Sequence, residues 1–100
     1  MAFIGTWIYK SDNIIDIFKI KNNEKFERLV ELKSGSLRWY GYFRMSDNKR
    51  NLTFTKTGLI IRNIKQPFNN WDKIIILDMK YYMVSMDTVM LDNLLYVRTY

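Results

Sequence analysis

The chain has 100 residues, of which 48% are hydrophobic and 16% aromatic. That suits one folded domain over residues 1–100 and excludes the sparse, highly charged composition of a disordered chain. It contains neither cysteine nor histidine, which excludes disulfides, thiolate and imidazole metal sites, cysteine nucleophiles and Ser-His-Asp triads, while a formal net charge of +6 favours an anionic partner.

Turn signals recur at short intervals, and the runs between them are rich in Ile, Val, Phe, Tyr, Trp and Thr, the pattern of a β-meander. The first run, 3–10, carries Gly5, Thr6 and Trp7. A glycine two residues before an indole lets a strand bend while the ring plugs one end of a barrel. This run is cut off by Lys10 and Asp12, too early for a secretory leader, and no apolar run approaches the ~20 residues that cross a bilayer. A cytoplasmic protein without a membrane span is therefore expected.

After the turn at Ser11, Asp12 and Asn13, a strand is predicted over 14–20, and after Lys21, Asn22 and Asn23 another over 25–33. In that strand Phe26, Arg28, Val30 and Leu32 share one face, apolar except for Arg28; a short helix within 22–33 is the competing reading. The strand 36–45 alternates most clearly, with Leu37, Trp39, Gly41, Phe43 and Met45 inward and Arg38, Tyr40, Tyr42 and Arg44 outward. Turns at Ser46, Asp47 and Asn48, at Thr57 and Gly58, at 67–70, and at Asp92 and Asn93 then divide predicted strands at 51–56, 59–65, 73–79, 80–86, 87–91 and 94–100. Some of these merge, and 73–92 reads either as two long strands around Met79 and Lys80 or as three short ones. The fold class is all-β, an antiparallel up-and-down meander of roughly eight to ten strands closing into a small barrel.

The pairing of Gly5-x-Trp7 near the start with Arg98 in the last strand resembles the lipocalin-like group of small up-and-down barrels. The resemblance implies that Trp7 and Arg98 pack together at a closed end, with Gly5, Trp7 and Arg98 as structural closure residues. It also implies a non-enzymatic protein that sequesters a small ligand at the opposite, open end. The chain is shorter than most members of that group and lacks the disulfides of secreted ones.

Read from the residues, the inward candidates are Trp7, Phe18, Arg28, Trp39, Phe43, Phe54, Ile61, Met83 and Val97. Most of these are core. Arg28 is different, because a guanidinium on an apolar face needs a partner. It either pairs with Asp16, sits at the rim, or holds an anionic head group. The candidate ligand site is accordingly Arg28, Trp39, Phe43, Tyr81 and Met83, for a small anionic or amphipathic molecule. A second candidate is the outward stripe Arg38, Tyr40, Tyr42 and Arg44, extended by Lys49, Arg50, Arg62, Lys65 and Lys73. Cations interleaved with tyrosines suit an acidic protein surface, as in a small inhibitor, or a single-stranded nucleic acid. Pairing of a solvated sheet face accounts for the same stripe without any partner. Should 100 residues fail to close the barrel, an open edge would pair with another copy as a homodimer.

No enzyme is expected. The carboxylate pairs Asp12 with Asp16, Asp47 with Asp72, and Asp87 with Asp92 fall mostly in turns, where Asp bonds backbone. There is no glycine-rich phosphate loop and no calcium-loop spacing, and no metal or cofactor is expected.

Overall fold

Between its polar turns the chain forms nine strands and, among the described residues, no helix. The computed structural model describes residues 3–69 and 75–99. The strands are β1 (Gly5–Lys10), β2 (Ile14–Ile20), β3 (Lys25–Leu32), β4 (Gly35–Met45), β5 (Asn51–Ile61), β6 (Ile64–Pro67), β7 (Ile75–Met83), β8 (Thr88–Leu91) and β9 (Leu94–Thr99). All pairings are antiparallel: β1 to β5 pair in succession, β5 pairs with β7, and β7, β8 and β9 follow in order. β9 then returns to β1, with Trp7 opposite Arg98. Eight strands therefore close into a barrel, and β6 is an additional strand folded back on the C-terminal part of β5.

Alternation places one face of every strand inside. Trp7, Phe18, Phe26, Phe43, Leu52, Phe54, Met79, Leu91 and Tyr96 fill the interior, each buried. The two ends differ. At the end that holds the turns 21–24, 46–50 and 84–87, Phe3 lies across the barrel, stacked on Trp7 at 5.8 Å and edge-on to Phe43 and Tyr81 at 6.2 and 5.2 Å. The Trp7 indole N–H donates to the Phe3 carbonyl at 2.8 Å, which fastens this plug. Arg98 finishes it: its guanidinium sits 4.2 Å from the Trp7 ring and donates to the carbonyls of Ile4 at 2.6 Å and Met86 at 2.9 Å. Gly5 leaves room for that arginine. Its φ is +142°, and a Cβ there would fall 2.5 Å from the Arg98 Nη1, so only glycine meets both demands.

Several boundaries differ from those read in the sequence. Residues 25–32 form strand β3 and not a helix, because the run pairs residue by residue with β2 on one side and β4 on the other; the burial of Phe26 and Val30, four apart, fits either reading. Thr57 and Gly58 do not make a turn but lie inside β5. The hairpin comes later, at Arg62 and Asn63, whose φ values of 52° and 64° are those of a two-residue type I′ turn. Asp92 and Asn93 make the same kind of turn, with φ of 48° and 68°. The stretch from Ile75 to Met83 is one strand, and a turn missed in the sequence follows it at 84–87. Ile61 and Val97, expected inside, are 48% and 43% exposed. The expectations placed on Asn70, Asp72, Lys73 and Tyr100 lie outside the described residues.

Candidate functional site

The opposite end of the barrel, where the turns 11–13, 33–34, 62–63 and 92–93 gather, is built around a buried ionic knot. Strand parity points Asp16 of β2 and Arg28 of β3 inward, two rows apart. Arg28 meets Asp16 bidentately, Nε donating to Oδ1 at 2.9 Å and Nη2 to Oδ2 at 2.6 Å. The Tyr96 hydroxyl, arriving from β9, donates to the same Oδ2 at 2.6 Å. Asp16 is 3% exposed, and the three donors satisfy a carboxylate that burial alone would penalise. Burial opposes the charge on Arg28, but the hydrogen bonds and charge of Asp16 outweigh it, so its pKa lies above the ordinary value. Burial pushes the Tyr96 phenol up, and the bond to Asp16 pushes it further. Arg28 thus belongs first to Asp16, one of the three readings its position left open.

A second cation stands beside the first. Lys56 of β5 lies opposite Gly41 of β4, and its ammonium sits over Trp39, 4.3 Å from the ring centre. Arg28 also packs on these rings, 5.4 Å from Trp39 and 4.5 Å from Phe18. Among the described residues no carboxylate lies within ion-pair distance of Lys56. Burial and then the neighbouring Arg28 charge lower its pKa. Two cations against one carboxylate leave the mouth with a surplus positive charge. Between them opens a cavity of about 200 Å³, floored by Phe18, Phe26 and Phe54 and walled by Trp39, Ile75 and Leu77. This is an apolar hollow with one cation at its lip, which can take an anionic group attached to a short apolar body.

Of the residues expected to bind a ligand, Arg28 and Trp39 meet at this mouth. Phe43, Tyr81 and Met83 do not: Phe43 and Tyr81 pack on Phe3 at the plugged end, and Met83 packs against the core directly opposite Val89. They share the inward face with Arg28 but not its level in the barrel, because strand direction reverses between β3 and β7 and tilt adds a further offset. Lys56 was missed, although the alternation Leu52, Phe54, Lys56 marks it as an inward charge just as Phe26, Arg28, Val30 marks Arg28.

The stripe on the outer face of β4 is divided. Arg38 donates to Asn63 of the β5–β6 turn at 2.8 Å and to Glu27 at 3.4 Å, and Lys65 of β6 lies 5.1 Å from the Tyr40 ring. The chain's own hairpin thereby engages half of it, while Tyr42 and Arg44 stay exposed. A larger outer hollow, about 490 Å³, runs from Thr6 to Asn63. Its carboxylate is already matched: Glu27 is paired with both Lys21 at 2.5 Å and Arg38, and its remaining cation, Lys19, is exposed. Burial raises the Glu27 pKa, but the Lys21 bond and the surrounding cations lower it more. The smaller mouth is the better candidate because, among the described residues, only there does a half-buried charge lack an internal partner. No group of three or more potential metal ligands occurs among the described residues. Neither family models, characterised proteins nor solved structures give a match to this chain.

Proposed function

We propose that the chain is a lipocalin-like, non-enzymatic binding protein whose barrel mouth captures a small anionic ligand with a short apolar body. The observation that carries this reading is Lys56, half-buried over Trp39 at the lip of an apolar cavity with no carboxylate of its own among the described residues. A carboxylate or similar anion would complete it with a charge-assisted hydrogen bond, while Phe18, Phe26 and Phe54 take the apolar part. The cavity volume of about 200 Å³ lies below the ~300–1,000 Å³ of sites for drug-sized molecules. The ligand is therefore short, or only its head enters.

Calorimetric titration with hexanoate and with hexanol separates charge from apolar burial. Hexanoate should bind more tightly, and Lys56→Met should weaken hexanoate by about tenfold or more while leaving hexanol unchanged. Equal affinity for the acid and the alcohol, or an unaltered hexanoate affinity in Lys56→Met, overturns the reading.

A further inference from the structure

Among the described residues, the barrel wall is incomplete beside this mouth. β8 has 4 residues and covers only Tyr81, Tyr82 and Met83 of β7. Asp92 extends the contact by one position: its N–H donates to the Lys80 carbonyl at 3.0 Å, and its Oδ1 accepts from the Lys80 N–H at 2.7 Å. Beyond Lys80, the described residues place no strand on that side of β7. Backbone groups of an antiparallel strand turn alternately to its two neighbours. The Tyr81 N–H donates to Arg50 of the β5 side and Lys80 faces Asp92. Met79, Leu77 and Ile75 therefore bond to β5, and Asp78 and Ile76 direct their N–H and C=O groups into the gap. Side-chain exposure agrees. Ile75, Leu77 and Met79 share the inward face, yet Met79 is 5% exposed whereas Leu77 and Ile75 are 39% and 51% exposed.

We propose that the edge of β7 from Ile76 to Asp78 receives an extended acidic peptide strand of a partner protein, and that its inward side chain, opposite Leu77, carries a carboxylate to Lys56. An edge with unpaired donors and acceptors in register is the template for strand addition. Leu77 and Lys56 line the same cavity, so the residue seated opposite Leu77 points into it. Once the backbone hydrogen bonds fix the peptide, charge selects the side chain: Lys56 and the net charge of +6 favour Glu or Asp. A second copy of this chain fits less well. Two-fold pairing centred on Leu77 would present another leucine to Lys56 and bring two chains of like charge together. The proposal rests on the cavity being an anion site.

The test uses the acetylated, amidated peptide Thr-Val-Thr-Glu-Thr-Val-Thr, a version N-methylated on the two threonines flanking Glu, and a version with Val in place of Glu. The parent peptide should bind and slow amide exchange at Ile76 and Asp78. Flanking N-methylation, the Glu-to-Val exchange in the peptide, and Lys56→Met in the protein should each weaken it by about tenfold or more. Unchanged affinity on N-methylation, or unslowed exchange at Ile76 and Asp78 in the complex, overturns strand addition. So does concentration-dependent protection of those amides in the protein alone, which assigns the edge to self-association. Failure of the peptide with hexanoate still bound removes strand addition and leaves the anion site standing; failure of both removes the site as well.

Discussion

Lys56 is the residue on which the proposed site turns, and its protonation would set when that site binds. Burial and the Arg28 charge lower its pKa from 10.5, so in the folded, empty protein it loses its proton before an exposed lysine does. Hexanoate stays ionised throughout, so the pH dependence of binding belongs to the lysine. Affinity should hold near neutrality and then fall with a midpoint below 10.5, and the profile should be flat in Lys56→Met. Stability moves the other way over the same window. The unfolded chain there binds more protons at this position than the native one, so the contribution of Lys56 to unfolding free energy rises with pH until both states are neutral. Tyr96 opposes this from the upper part of that window onward: its raised pKa makes its contribution fall once the unfolded phenol ionises, from about pH 10 upward. Calorimetric titrations and urea denaturation across this range read the two trends separately. An affinity that declines only above the ordinary lysine value removes the half-buried ammonium as the ligand's partner.

At the level of strands, parity is what the sequence carries well and tilt is what it hides. The alternation Trp39, Gly41, Phe43, Met45 and the charge at Arg28 read correctly, because a one-residue slip would put every side chain of β3 or β4 on the wrong face; Leu37, expected inside with them, keeps their parity opposite Val30 but is 57% exposed near the start of β4. Choosing Val97 as inward was inconsistent with an inward Arg98, since neighbours on a strand cannot share a face. Parity with Arg98 selects Tyr96, which is fully buried and bonded to Asp16. The level of a residue along the barrel is a different matter. It depends on stagger between strands far apart in sequence, which is why Tyr81 and Met83 share a face with Trp39 yet not a site. The hairpin at Arg62 and Asn63 was hidden for another reason: positive φ at both positions usually announces itself through glycine, and here Gly58 a few residues earlier drew the turn instead. Gly58 and Gly41 serve close approach. A Cβ on Gly41 would lie 1.8 Å from the Thr55 carbonyl oxygen, at the register shift between Tyr40 and Gly41, and backbone cannot yield as a flexible side chain can. Gly41→Ala should destabilise the protein by about 3 kcal/mol or more in urea denaturation, and by forcing β4 from β5 it should also displace Lys56 and weaken hexanoate. A neutral Gly41→Ala would mean that the β4–β5 seam is not drawn this tightly.

In the molecule as a whole, barrel closure and the proposed binding site lie at opposite ends of one barrel. Arg98 joins the last strand to the first through the Trp7 ring and the carbonyls of Ile4 and Met86, and its side chain is only 14% exposed. Hydrogen bonds made by a charged group contribute ~1.5–3 kcal/mol and a desolvated cation–π contact up to ~2. Arg98→Met should therefore lower stability by about 3 kcal/mol, a large share of the ~5–15 kcal/mol that holds a small domain together. It should do so without altering hexanoate affinity at temperatures where the variant is folded, because the partners of Arg98 among the described residues, Trp7, Ile4, Met86 and Asp87, all lie away from the mouth. Lys56→Met should show the converse, with ligand binding lost and stability held or raised, since it removes a half-buried cation that has no partner among the described residues. The double variant should then be additive in both measurements, the two sites sharing no contact. Coupling between them, read as a hexanoate affinity that changes with Arg98→Met in the fully folded protein, would mean that closure at the plugged end sets the shape of the open one. In that case the β7 edge, which lies on the wall between them, is the element through which it would pass, and exchange at Ile76 and Asp78 in Arg98→Met would show it.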